Sequence, residues 1–542
     1  MRLVLALLLP LALGSASPAR VHDIRDHGAL PDGTTLSTAA VNSAVIAAAA
    51  EGGGTVRIPA GRFLSGTIYL LSNVTLQLEA GAVLLGSTEL KDYPENPAPE
   101  PVDTPEFKRI RHLYPGNLEF GRHSLIYAAG QDNVAVIGPG LIDGQGDHPN
   151  FTKSVLVARG LTRNQAHFRR PYGLGFVRCT NVRVQDVAFR NMAFWCQSYL
   201  DCDGVQVTGV TINSRHNDRN NDGIDLDGCR NVRVSDCHFN TGDDSICLKA
   251  SYRDCENIVI TNSVCNSLAN GVKFGTASNG GFRNIAISNL TMEHVSAAGL
   301  ALEVVDGGTL DGVVISNIVM NQVGAAIFIR LGDRGARWMQ PADHAVGALR
   351  NVSISNVVAQ VFTPYDGRPL ASSISGLPGH PVEHISLSNI RILSLRDQPR
   401  SLTAGLATAD VPEQPGDYPE YSMFGSLPAY GLYVRHARDV TLDNVWVGFA
   451  RQDHRSSLVV DDAEDLQVRG WTAQTLPGAD PVLRFKDVRR AAITGTVAPR
   501  ETGNFLKVEG RSTDITIFGS DLTAARQPVE LAPGVAEVNV RR

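Results

Sequence analysis

Residues 181–191 read NVRVQDVAFRN, and residues 231–240 read NVRVSDCHFN. The same pattern returns as GVQVTGVTIN from Gly204, NIVITNSVCN from Asn257, NIAISNLTME from Asn284 and GVVISNIVMN from Gly312. It continues as NVSISNVVAQ from Asn351, HISLSNIRIL from His384 and DVTLDNVWVG from Asp439. Subtracting successive starts (181, 204, 231, 257, 284, 312) gives steps of 23, 27, 26, 27 and 28 residues. Each unit alternates apolar and polar residues, meets a polar Asn or Asp, and alternates again. A period of two means strands. A step this short, holding several strands and no crossover helix, predicts coils of a parallel β-solenoid. Successive coils then stack at about 4.8 Å.

Stacking places equivalent residues in columns. Asn262, Asn289, Asn317, Asn356, Asn389 and Asn444 each fall five residues after their unit's start. Asn tolerates left-handed backbone and can bond along a column, so these read as structural. Cys179, Cys202, Cys229 and Cys255 share one register in CTNV, CDGV, CRNV and CENI. A buried column of thiols is the first reading and adjacent-coil disulfides the second. All eight cysteines lie within residues 179–265 without a CxxC pair, which speaks against zinc.

Upstream, Thr38–Ala50 is Ala-rich, follows a Ser/Thr cap signal and stops before Gly52-Gly53-Gly54. It predicts a helix covering the open end of the solenoid. Residues 17–87 then form the cap and first coils, 88–124 an insertion, about 200–335 the functional coils, and the rest C-terminal coils within one domain. Further loops are expected at 334–349, 362–382 and 396–430. Alternation in DLQVRGW and DITIFGS carries the solenoid toward Arg542.

The first residues combine Arg2, an apolar run Leu3–Leu13 and small residues Gly14-Ser15-Ala16. This order predicts a secretory signal cut after Ala16, and hence a secreted or periplasmic protein. The run is too short to span a membrane. The 542 residues carry a net charge of −6, with 43% hydrophobic and 19% charged residues. No basic field argues for nucleic acid or an anionic membrane. An acidic polymer would need a local basic patch.

Within residues 221–250, NDGIDLDGCRNVRVSDCHFNTGDDSICLKA, six aspartates occur, and Asp243 and Asp244 are adjacent. Aligning NDGIDLDG, DDSICLKA, NGVKFGTA, AGLALEVV and AAIFIRLG without gaps puts Ile224, Ile246, Val272, Leu300 and Ile327 inward. The alternate positions are expected to face solvent. One outward column is Asp227, Lys249, Gly275, Glu303 and Arg330; another is Asp225, Cys247, Lys273, Ala301 and Phe328. Asp222 and the Asp243-Asp244 pair begin neighbouring strands. Crowded carboxyls raise one pKa and keep one group protonated as an acid. A gap widened to roughly 6.5–9.5 Å would admit the water of an inverting glycosidase. From spacing alone, a catalytic centre and a solvated polar turn both fit. Asp225 and Asp227 read as surface charge or sugar contacts. A calcium site is the rival chemistry, but no EF-hand loop or Gly-Gly-x-Gly-x-Asp repeat occurs. HExxH, P-loop and GxSxG motifs are also absent.

These residues resemble glycoside hydrolase family 28, the polygalacturonase family, over roughly residues 21–335. The likeness rests on HGALPDGTT, GGGTVRIPAGRFLSGTIYLLSNVTLQLEAGAVLLGS, GPGLIDGQG, FRNMAFWCQSYLDCDGVQVTGVTI, NDGIDLDG and GDDSICLK. The resemblance implies a right-handed parallel β-helix that hydrolyses pectic α-linked galacturonic acid with inversion and without a metal or other cofactor. It implies Asp243 as general acid, Asp222 and Asp244 on the water, and Asn220 or Asn221 shaping the site, Asn220 being at the family's position. Two family motifs depart. Asn270 stands where Gly-His-Gly has its His, and Phe328 and Arg330 stand at the basic positions of Arg-Ile-Lys. Arg330, Lys249 and Lys273 offer a rearranged basic subsite, or else pair with Asp225, Asp227 or Glu303. The departures leave rhamnogalacturonan or pectic side-chain hydrolysis open. A calcium-dependent lyase and an inactive sugar-binding solenoid are the remaining alternatives.

Overall fold

A computed structural model describes residues 20–96, 123–214, 219–337, 344–362, 367–537 and 540–541. The signal segment 1–16 and most of the 88–124 insertion lie outside the described residues. The strands join one continuous ladder system, and strand pairs with strand in parallel, one coil to the next. Three strand runs make the faces of the solenoid. One passes through Gln197–Leu200, Ile224–Asp227 and Ile246–Ala250. A second passes through Thr180–Gln185, Asp203–Thr208 and Arg230–Ser235. The third passes through Ala188–Arg190, Thr211–Ser214 and His238–Thr241. The chain is thus a parallel β-helix, and its coils continue to Val540–Arg541.

Alternation decides what goes inside. Val232 and Val234 pair with Ile258 and Ile260, and these with Ile285 and Ile287, all buried in the central core. Each such side chain contributes about 1.5–3 kcal/mol when fully buried. Between them Arg233 points outward and stays exposed. At the corners, Asn262, Asn289, Asn317, Asn356, Asn389 and Asn444 all take positive φ, between 51° and 59°. Each amide donates to the Oδ1 of the Asn one coil earlier, from Asn289 to Asn444, at 2.8–3.2 Å. A second amide ladder runs through Asn231, Asn257 and Asn284 at 3.3 Å per rung.

All eight cysteines are free and buried, so the thiol column stands and the disulfides do not form. The helix Thr38–Ala50 buries Ala40, Val41, Ala44, Val45 and Ala48 against the first coil. Its cap differs from expectation. Ser37 makes no side-chain cap bond and donates its hydroxyl to Thr35 O at 3.4 Å.

Two further expectations fail. The aligned strands do not stack without gaps, because the register shifts between Leu248 and Ala250, which pairs with Ser278. Gly275 adopts φ 107° there, a conformation open to glycine, and the facing strand Val272–Ser278 takes up the extra residues. The outward positions are also not solvated. Asp225, Asp227, Lys249, Lys273, Glu303 and Arg330 are all buried. A long loop, residues 410–427, folds over this face. Its Tyr421, Phe424 and Leu427 build a satellite core with Ala301 and Phe328.

Candidate active site

Asp222 precedes the strand Ile224–Asp227, and Asp244 precedes Ile246–Ala250. Ile224 pairs with Ile246, so Asp222 and Asp244 sit level on adjacent coils. Asp243 joins them: one carboxylate oxygen from each of the three lies within 4.8 Å of the others. The convergence is as read from the sequence.

Each carboxylate has a distinct environment. Asp243 is the most accessible of the trio and accepts N–H bonds from Asn220 and Asp244, both at 3.0 Å. Burial raises its pKa and the Asp244 charge adds to this, against Lys273 and these N–H donors. Asp222 is pushed well above the carboxylate range, first by burial and then by Asp225, Asp243 and Asp244. Its Oδ1 is buried without a hydrogen-bond partner among the described residues. Asp244 is held by Asn270, whose backbone N–H and amide both donate to Oδ1, at 3.0 and 2.8 Å. Asn270 in turn accepts the Ala298 N–H at 3.0 Å. The residue at the family's His position is therefore a clamp on Asp244.

Asn220 bridges outward. Its Oδ1 accepts from Lys153 Nζ at 3.0 Å and from buried Arg170 at 3.2 Å. Neighbouring Asn221 is fully buried and donates its amide to Ser214 O.

The basic residues are engaged with the protein. Lys249 Nζ lies 3.3 Å from Asp225 and 3.0 Å from Cys247 Sγ, and 4.7 Å above the Trp195 ring. Asp225 is raised to about 7 by burial, against the pull of Lys249. Lys273 stands between Asp244 at 3.7 Å, Glu303 at 4.0 Å and Glu420 at 3.7 Å. It also donates to the Tyr418 hydroxyl at 3.3 Å. Burial raises Glu303 to about 8, with Lys273 opposing.

Two expected sugar contacts are corrected. Asp227 accepts the Ser251 N–H at 2.8 Å and its hydroxyl at 2.6 Å, so it fastens a turn. Arg330 donates to Gly376 O at 3.0 Å, Glu413 O at 2.8 Å and Gln414 O at 3.1 Å. It lies 5.2 Å from the Phe424 ring and anchors the covering loop. Burial lowers its pKa to about 10.

Three site residues escaped the sequence reading. Trp195 is partly exposed, and its place inside the quoted motif FRNMAFWCQ was the available signal. Tyr418 and Glu420 arrive from a loop some 145 residues distant from Lys273, and no periodicity announces such a return.

Comparison with known proteins fixes the class. The family model "Glycosyl hydrolases family 28" matches residues 55–402. The protein is a glycoside hydrolase. With that match spanning more than half its length, the chain belongs to glycosyl hydrolases family 28. It is 24% identical over 447 residues to "Probable polygalacturonase" of Vitis vinifera, covering 78% of this chain and 86% of that protein. It is 27% identical over 354 residues to "Exo-poly-alpha-D-galacturonosidase" of Dickeya chrysanthemi, covering 58% of this chain and 57% of that one. The fold is similar to a hyperthermoactive exopolygalacturonase from Thermotoga maritima, with a TM-score of 0.53 at 23% identity. That superposition covers 70% of this chain and 88% of the other.

Proposed function

We propose that the protein hydrolyses a pectic chain containing α-linked galacturonic acid, with inversion at the anomeric carbon. The observation that carries this reading is the convergence of Asp222, Asp243 and Asp244 within 4.8 Å. Three anions this close do not all stay ionised, so the trio holds a proton. Asp243, the most accessible of the three, relays the trio's shared proton to the leaving glycosidic oxygen, which leaves Asp222 and Asp244 ionised. Asp222 and Asp244 hold a water on the opposite side and take its proton as it attacks. Asn270 fixes Asp244 for this task, and Asn220 fixes Asp243 through its N–H. Asp225 and Lys249, with Cys247, set the electrostatics behind Asp222.

The names of the relatives support a polygalacturonate substrate. A second reading, rhamnogalacturonan or another pectic side chain, is favoured by Phe328, which sits in an apolar cluster where the family carries a basic residue. The N-terminal pattern of residues 1–16 supports export, and no helix among the described residues is long and apolar enough to cross a membrane.

Product anomers followed by NMR on defined pectic fragments test the mechanism. The β-anomer is expected first, and an initial α-anomer refutes inversion. Asp243→Asn is expected to lower kcat by about 10²–10⁴-fold. Wild-type rates in that variant would remove the acid assignment.

A further inference from the structure

A cavity of about 660 Å³ is lined by Thr152, Lys153, Ser154, Val157, Arg163 and His167. These residues come from an insertion between the strands Leu141–Asp143 and Tyr172–Val177, which supplies the short helices Lys153–Ala158 and Arg163–Phe168. A reciprocal capping box of Thr162 with Gln165 fixes the start of the second helix, where Arg163 is exposed. The His167 ring stands edge-on to Phe168 and Phe194, at 4.5 and 5.1 Å. Phe194 stacks on Trp195 at 5.6 Å, so a chain of ring contacts, fully buried at Phe194, runs from Lys249 to the cavity wall.

Two links tie the cavity to the chemistry. Lys153 donates to Asn220 Oδ1, and the Asn220 N–H donates to Asp243 Oδ2, each at 3.0 Å. One residue therefore separates the cavity from the proposed acid. The described lining holds an ammonium, a guanidinium, an imidazole, two hydroxyls and no carboxylate. The outward columns leave no such opening, because Lys249, Lys273 and Arg330 are buried against protein groups.

We propose that this cavity is a uronate subsite. It takes the carboxylate of a sugar unit next to the cleaved bond, and Arg163 is its specificity determinant. A guanidinium matches a carboxylate with two parallel N–H donors. Thr152 and Ser154 meet sugar hydroxyls, and Val157 meets the apolar face of the ring. The inference rests on the hydrolase reading above and names where its acidic sugar is recognised.

The test is equilibrium binding to Asp243→Asn protein, using trigalacturonate and the same trimer with its carboxylates reduced to alcohols. Arg163→Gln is expected to weaken the acidic trimer about ten-fold, the worth of one charge-assisted bond, and to leave the neutral trimer unchanged. Arg163→Lys is expected to recover part of the loss. Wild-type turnover of trigalacturonate is followed alongside. Turnover together with unaltered binding in Arg163→Gln overturns the subsite alone, as does equal weakening of both trimers. Absence of wild-type turnover on any galacturonate chain overturns the hydrolase reading and the subsite with it.

Discussion

Replacing Arg330 with Met tests whether this cation recognises sugar or holds the covering loop. Met keeps much of the side-chain bulk beneath Phe424 and removes the donors to Gly376 O, Glu413 O and Gln414 O. A hydrogen bond from a charged donor has a net worth of about 1.5–3 kcal/mol. Two of the three hold the loop directly, and their carbonyls are partly rewetted when it opens. Roughly 2–4 kcal/mol of local anchoring is then lost, which is about 30- to 700-fold faster local opening. Hydrogen exchange with peptide resolution reads this in residues 410–427. Arg330→Lys, which keeps charge without the planar fork, falls between. Wild-type exchange in the loop, combined with a raised KM for galacturonate oligomers, would show that Arg330 is a ligand clamp and that the anchoring argument is wrong.

Glu303 gives a pH prediction. Burial lifts it from 4.5 to about 8, so the folded state favours the protonated form. That contribution is complete below the unfolded pKa and is lost as pH rises from about 4.5 through 8. Thermal scans across this window should show falling Tm, and Glu303→Gln should flatten the slope; an unchanged slope counts against the assignment. Asn317→Ala should cost about 1–2 kcal/mol in urea denaturation, since it breaks two ladder bonds and strains a φ of 59°. Asn317→Gly, which keeps that backbone, should cost less. Thiol titration without reductant should find almost no reactive groups in the native protein and eight after denaturation; a lower number would reveal a disulfide.

The fold was legible because two independent signals agree: alternation buries Val232, Val234 and their stacked partners, and Asn recurs at the corner where left-handed backbone is needed. The register of Ile224, Ile246, Val272, Leu300 and Ile327 follows from that agreement. Within these aligned segments it slips at Gly275, since a glycine's positive φ leaves no trace in hydrophobic pattern. The trio Asp222, Asp243 and Asp244 was legible because coil spacing alone makes them neighbours. Burial of Lys273 and Arg330 was not, because residues 410–427 cover them from far along the chain. Side-chain identity also hid the tasks of Asp227 and Arg330, whose partners are a local turn and loop carbonyls.

The covered charge columns separate two responses to ionic strength. Mobile salt ions screen exposed charges over about 8–10 Å of solution, and buried pairs much less. Lys249 against Asp225, and Lys273 against Asp244 and Glu303, are shut away from that atmosphere. The potential acting on buried Asp222 and Asp244 is therefore set mainly by fixed protein counterions. Exposed Arg163 is open to the medium. Added salt should act on capture of an acidic chain and leave the proton transfers that follow close to constant.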